Sequence, residues 1–229
     1  MSRARVFCVQ VWRVVRGAPL TFAWLVALQI TTIIQRSLTP EELARLLVER
    51  STNLHHLSTD PIQVLVSSLF WIDGSYWLPY LILFCIFHVP AERWLGSPRW
   101  LLVGLSAHVI ATYVSEGILA VAIRHGMAGS SLVDVTDVGV SYFLAAVVGV
   151  LTYRIAYPWR WVYLIGILAV YGLPLMLDVT FTGIGHLSSL LVGLAWYPMA
   201  QGRHATPWNP LDTVRRWGHL PASVRHRNS

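Results

Sequence analysis

A small set of polar side chains lies inside otherwise apolar stretches of this sequence. Polar groups are costly to bury in such surroundings, so each one is a candidate for function. Ser141 and His186 are the pair with the clearest chemistry, because a serine hydroxyl becomes a nucleophile when an imidazole accepts its proton. The candidates are His88, His108, Glu116, Ser141 and His186.

The other polar candidates allow different interpretations. His108 and Glu116 are spaced to lie two turns apart on one helical face, as in the proton relay of a small transporter or in a structural pair. His88 comes at the end of its apolar stretch, where a cation would complement the helix dipole. We assign no chemistry to His88.

The composition determines which elements must position these residues. Of the 229 residues, 55% are hydrophobic and 12% are charged, and the mean hydropathy is +0.55. Apolar runs of spanning length, separated by short polar stretches, predict an all-α membrane protein with six transmembrane helices. The predicted spans cover residues 18–34, 76–89, 100–123, 138–153, 159–177 and 181–200.

The long connection between the first two predicted spans has two notable segments. Thr39, Pro40, Glu41 and Glu42 form a helix start ahead of a leucine stripe, which predicts a short amphipathic helix at the membrane interface. The apolar run 64–72 is too short to cross a bilayer, and turn residues follow it. We therefore expect a membrane-embedded loop that leads into the second span.

The arginines predict the orientation. All 17 basic residues are arginines. If the N-terminus is cytoplasmic, thirteen of them fall on the cytoplasmic side and only Arg36, Arg45, Arg50 and Arg124 on the other, which is the positive-inside pattern. Because the arginines flank apolar runs instead of forming one basic face, we expect the lipid bilayer and not nucleic acid as the partner.

This orientation divides the chain into three parts. We expect a basic cytoplasmic N-terminus at 1–17, the six-helix domain at 18–202 and a mostly disordered cytoplasmic tail at 203–229. The predicted location is the cell membrane, with several spans and both termini in the cytoplasm.

Orientation also gives the depth of the candidate residues. The fourth and sixth spans both enter from the outer side, so Ser141 and His186 lie about one and two turns below the outer surface. Small residues on both spans, among them Gly139, Gly149 and Gly193, allow the two helices to pack closely.

These motifs resemble those of the rhomboid intramembrane proteases. The resemblance rests on Gly139-Val140-Ser141, on the segment from Gly185 and His186 to Gly193, and on Glu92-Arg93-Trp94-Leu95-Gly96. It covers residues 61–200 and implies a six-helix bundle with a membrane-embedded loop between the first two helices. It also implies a serine–histidine dyad that needs no cofactor.

By the same resemblance, Ser141 would be the nucleophile and His186 its general base, with Gly139 opening the nucleophile helix. The substrates would be transmembrane segments of other membrane proteins, cleaved near the outer face.

The sequence departs from the family pattern around the catalytic positions. Tyr142 stands where the family has glycine after the serine, and Ala145 replaces a tyrosine that packs on the histidine. Tyr76 and Tyr80 fall where a histidine and an asparagine usually bind the oxyanion, so phenols would supply this support. The alternative function is a catalytically inactive rhomboid-like protein that binds or escorts membrane proteins.

Overall fold

The computed structural model describes residues 3–201 and 206–218, and this part of the chain consists of helices and loops without a β-strand. Short 3₁₀ turns interrupt the loops, and a π-helical turn, Phe84–His88, joins α6 to α7. The helices are α1 (Arg3–Gly17), α2 (Pro19–Ser37), α3 (Pro40–Arg50), α4 (Leu54–Thr59), α5 (Pro61–Ser67), α6 (Trp77–Leu83), α7 (Val89–Leu95), α8 (Ser97–Arg124), α9 (Val140–Leu151), α10 (Trp159–Leu177), α11 (Phe181–Ala195), α12 (Tyr197–Ala200) and α13 (Pro210–Gly218).

Several of these helices are suited to a bilayer. Three helical segments, Trp77–Leu95, Ser97–Arg124 and Trp159–Leu177, are long and apolar enough to cross it. A fourth span is possible if α1 and α2, which meet at a 94° bend, count as one unit. Helices α9 and α11 are apolar but shorter. The protein is thus an all-helical membrane protein, while the count of six spans and the embedded loop stay predictions.

Helix α9 forms the centre of the bundle. Every residue from Tyr142 to Leu151 is buried, and α8 and α11 pack on either side. The close approach of α9 and α11 depends on glycine: a Cβ built at Gly193 would lie 2.7 Å from Ala146 Cα. Helix α10, in contrast, exposes most of its apolar residues, with only Ile167 buried. This exposure suits a surface solvated by lipid.

Glu92 joins the N-terminal helices to the rest of the bundle. Its buried carboxylate accepts hydrogen bonds from the Leu20 and Thr21 N–H groups, from Thr21 Oγ1 and from Ser97 Oγ, at 2.6–3.1 Å. An anion here satisfies unpaired N–H donors in the first turn of α2 and complements its dipole. Glu92, the first residue of the Glu92–Gly96 motif, thus caps α2.

The connection between α2 and α6 is ordered and packs against the bundle. Helix α3 begins at a capping box between Thr39 and Glu42, as the sequence predicted. Further along, Trp24 Nε1 donates to the Leu69 carbonyl at 2.7 Å, and Gln35 Nε2 donates to the Ile72 carbonyl at 2.9 Å. These bonds fasten residues 68–72 to α2, beside the start of α9.

Part of the predicted tail has regular structure. Trp208 exchanges backbone hydrogen bonds with Arg154 and Ala156, at 2.8 and 2.9 Å, and α13 follows. The prediction of disorder therefore does not describe 206–218, whereas 202–205 and 219–229 lie outside the described residues.

Candidate active site

Ser141 lies in the first turn of α9, two residues after the N-cap Gly139. Its side chain is partly buried, and Oγ donates a 3.3 Å hydrogen bond to the Val138 carbonyl of the preceding turn. The N–H groups of a first helical turn lack intrahelical partners, so backbone donors are available beside this hydroxyl. The structure therefore places Ser141 at a helix N-terminus, as the sequence predicted.

His186 lies on α11 and is also partly buried. Its ring stands edge-on to Tyr142, with centroids 5.1 Å apart, and also contacts Tyr171 at 6.2 Å. Among the described residues, no hydrogen bond joins His186 to Ser141, whose hydroxyl points to Val138 instead. The two candidates thus lie on packed helices without forming a hydrogen-bonded dyad in this structure.

Tyr142 occupies the junction between the two helices. A Cβ on Gly185, the residue before His186, would lie 2.5 Å from the Tyr142 ring. The Tyr142 hydroxyl donates to Asp137 at 2.7 Å and lies 3.4 Å from Ser115 Oγ. Ser189 Oγ on α11 donates to the Tyr142 carbonyl. Gly185 is thus required because a phenol fills the space that a side chain would need.

Asp137 is the main residue that sequence reasoning missed. It is buried in the loop before α9, and its carbonyl accepts hydrogen bonds from the N–H and the hydroxyl of Thr52. Burial raises the pKa of Asp137 to about 7, while hydrogen bonds from Tyr142 and from the Val138 N–H oppose the increase. An acidic residue at the edge of an apolar run was the available signal, although loop aspartates are too common for it to be decisive.

His108 and Glu116 are both buried on α8, on the side facing this junction. The His108 ring lies over Gly139, with Nε2 3.0 Å from the Leu65 carbonyl and 3.4 Å from Ser68 Oγ. Neither carboxylate oxygen of Glu116 has a hydrogen-bond partner within the described part of the chain. His108 thus binds the α5 segment, and no contact links it to Glu116 as a relay would require.

The predicted oxyanion tyrosines are placed differently. Tyr76 precedes α6 and is 67% exposed, whereas Tyr80 is half-buried and packs against the apolar core. No hydrogen bond of the described residues links either phenol to Ser141 or His186. The structure therefore brings Tyr142, the chain neighbour of Ser141, into contact with His186. Among the described residues, it shows no polar contact from Tyr76 or Tyr80 to Ser141 or His186.

His88 is part of an aromatic core and does not lie at an exposed helix end. It is fully buried among Trp24, Phe84, Trp100 and Phe143, and its Nδ1 accepts a 3.2 Å hydrogen bond from Trp100 Nε1. A ring nitrogen that accepts a hydrogen bond carries no proton. The expectation of a cationic His88 that complements the helix dipole is therefore wrong.

The comparison with protein families agrees with this arrangement. Residues 13–206, which include every helix from α2 to α12, match the family model of the rhomboid-like proteins. The chain belongs to the rhomboid-like family. No curated protein and no solved structure matches it. This family includes serine proteases and inactive relatives. Membership therefore identifies the fold of this rhomboid-like protein, and its activity has to be argued from the site residues.

Proposed function

We propose that this rhomboid-like protein is an intramembrane serine peptidase that cleaves transmembrane segments of other membrane proteins near the outer face. Ser141 would be the nucleophile and His186 the general base. The observation that carries the proposal is the contact between Tyr142 and Gly185. Ser141 precedes Tyr142 in the chain and His186 follows Gly185, so this contact supports the pairing of the two proposed catalytic residues. Both side chains also remain partly exposed.

The chemistry follows from these positions. His186 would take the Ser141 proton as Oγ attacks the scissile carbonyl, and would then protonate the departing amine to leave an acyl-enzyme that water hydrolyses. First-turn N–H groups of α9, including that of Ser141, would donate to the oxyanion. The Tyr142 ring would hold the His186 imidazole in place. In the family pattern a tyrosine at the position of Ala145 has this role, and alanine is too small for it.

The proposal requires one local change. Ser141 Oγ now donates to Val138 and would have to exchange this bond for one to His186 when substrate enters. The bond is long and the group is a freely rotating hydroxyl, so the cost of the exchange is small. Catalytic hydrogen bonds are often incomplete before substrate binds.

A fluorophosphonate probe tests the proposal, because it reacts covalently with an activated serine. We expect the purified wild-type protein to be labelled, and Ser141→Ala and His186→Ala to lose the label. Ser58→Ala, which removes an exposed hydroxyl bonded only to its own helix, is the control and should label like the wild type. Equal labelling of Ser141→Ala and wild type would overturn the assignment.

The second candidate is an inactive rhomboid-like protein that binds or escorts membrane proteins at the same helix junction. The absence of a Ser141–His186 hydrogen bond within the described residues favours it, as does the exposure of Tyr76. In this case client proteins would co-purify equally with wild type and Ser141→Ala, and no cleavage product would form. For both candidates we propose the cell membrane as the location, with both termini in the cytoplasm.

A further inference from the structure

A second site lies at the carboxyl end of α9, away from Ser141. A cavity of about 780 Å³ opens there between the α6–α7 segment, the end of α9 and the start of α10. Its volume falls in the range of small-molecule sites. Apolar residues, among them Ile86, Phe87 and Leu151, line one part of the cavity, and Arg93 and Arg154 also line it.

The two arginines have no acidic partner within the described part of the chain. Arg93 is exposed and lies across Gly17, whereas Arg154 donates to the Thr206 carbonyl. The neighbouring Glu92 is committed to the cap of α2. Asp212 lines a smaller adjoining cavity together with Arg154 without forming an ion pair. Two arginines without an acidic partner among the described residues therefore line the cavity.

The described tail covers one side of this cavity. Trp208 lines it and is fastened to the end of α9 by backbone hydrogen bonds with Arg154 and Ala156. Tryptophan is typical of the membrane–water interface, where an apolar body meets polar headgroups. Ile86, another lining residue, is 54% exposed at the surface between α6 and α7.

We propose that this cavity binds an anionic phospholipid. The lipid phosphate would lie between Arg93 and Arg154, and the first carbons of one acyl chain would pack along Ile86, Phe87 and Leu151. The combination decides the ligand class: a soluble anion would not need the apolar wall, and a neutral lipid would leave two arginines unpaired beside apolar surface. Anionic lipids are concentrated on the cytoplasmic side, where the arginine pattern predicts this end of the bundle.

Lipid competition on the full-length protein tests the proposal. Purified protein is equilibrated with equal amounts of phosphatidylglycerol and phosphatidylcholine, and the bound lipids are measured by native mass spectrometry. We expect wild type to prefer phosphatidylglycerol, and Arg93→Gln and Arg154→Gln each to lower the preference about five-fold. Arg154→Lys, which keeps the charge, should retain most of the preference.

The matched control is Arg99→Gln, which removes an exposed arginine near the same end of the bundle but outside the cavity. It should bind like the wild type. The proposal is overturned if the Arg93→Gln, Arg154→Gln double variant keeps the wild-type preference, or if Arg99→Gln loses as much as either cavity variant. Displacement of phosphatidylglycerol by an equal concentration of glycerol phosphate would show a site for free phosphate and would also overturn it.

Discussion

At the scale of single residues, the candidate site depends on Tyr142 as much as on Ser141 and His186. The Tyr142 ring supports the His186 imidazole, and its hydroxyl binds Asp137. A bulky residue after the nucleophile, which departs from the rhomboid pattern, thus has its own packing partner at Gly185. The departure is accommodated by the surrounding residues and does not displace Ser141 from the start of α9.

The buried carboxyl of Asp137 should make stability depend on pH. Its pKa is raised from 3.8 to about 7 in the folded protein, so the folded state keeps a proton that the unfolded chain releases. Stability should therefore fall as pH rises from about 4 to 7 and change little above, with a slope of at most about 1.4 kcal/mol per pH unit. We expect Asp137→Asn to flatten the slope in thermal unfolding between pH 5 and pH 8.

The comparison needs a matched acid as its control. Asp134→Asn removes an exposed carboxyl three residues earlier and should leave the wild-type slope. Identical pH profiles for wild type and Asp137→Asn would contradict the assignment.

At the scale of elements, small residues determine how closely α9 and α11 approach. Gly149 and Gly193 each face backbone atoms of the opposite helix, so the helices are in contact along their length and not only at the candidate site. Such backbone contact cannot shift aside as a flexible side chain would. The position of His186 relative to Ser141 therefore depends on glycines far from either residue.

Gly193→Ala tests this dependence. The added methyl group would overlap the Ala146 backbone, and we expect a loss of about 1–3 kcal/mol of unfolding free energy. Gly166→Ala on α10, where no atom lies within 4 Å, should be neutral or slightly stabilising. Thermal unfolding in one detergent compares the two, and equal midpoints would show that α9 and α11 are not tightly packed.

The cap on α2 provides a second test between elements. Glu92→Gln replaces one acceptor oxygen by an amide that faces N–H donors, and we expect a loss on the order of 3 kcal/mol. Hydrogen exchange should rise in α1 and the start of α2, which lose their attachment. Glu49→Gln, at an exposed position on α3, is the control and should leave both measurements unchanged. Unchanged exchange in Glu92→Gln would mean that packing alone holds α2.

At the scale of the whole molecule, the arginine pattern and the apolar helices together predict the orientation of the bundle in the membrane. The proposed active site lies at the start of α9 and the proposed lipid site at its end, so the central helix separates an outer peptidase site from an inner, arginine-rich site. Both assignments depend on the same orientation in the membrane. Labelling of single cysteines on each side of the membrane can therefore test them together.

We expect Cys8, in a Cys85→Ser background, to react with a membrane-impermeant maleimide only in inverted vesicles, because the positive-inside pattern places α1 in the cytoplasm. Ser131→Cys in a protein without Cys8 and Cys85 should react only in right-side-out vesicles. Both positions are exposed. Reaction of both cysteines from the same side would contradict the predicted orientation.

The sequence by itself determined the class of protein, the order of its apolar helices and the rhomboid-like family. These properties depend on local composition: bilayer thickness selects long apolar segments, and a capping box such as Thr39–Glu42 is local in the chain. The sequence also placed Ser141 and His186 within the first two turns of two apolar helices.

Only the tertiary structure decided which partner each polar group takes. Asp137 binds Tyr142, Glu92 caps α2 and His88 accepts from Trp100, and the last of these differs from what the local sequence suggested. The physical reason is that a buried polar group must find a hydrogen bond wherever packing offers one. The rotation and separation of the helices decide which partner is within reach, and sequence periodicity alone does not determine either of them.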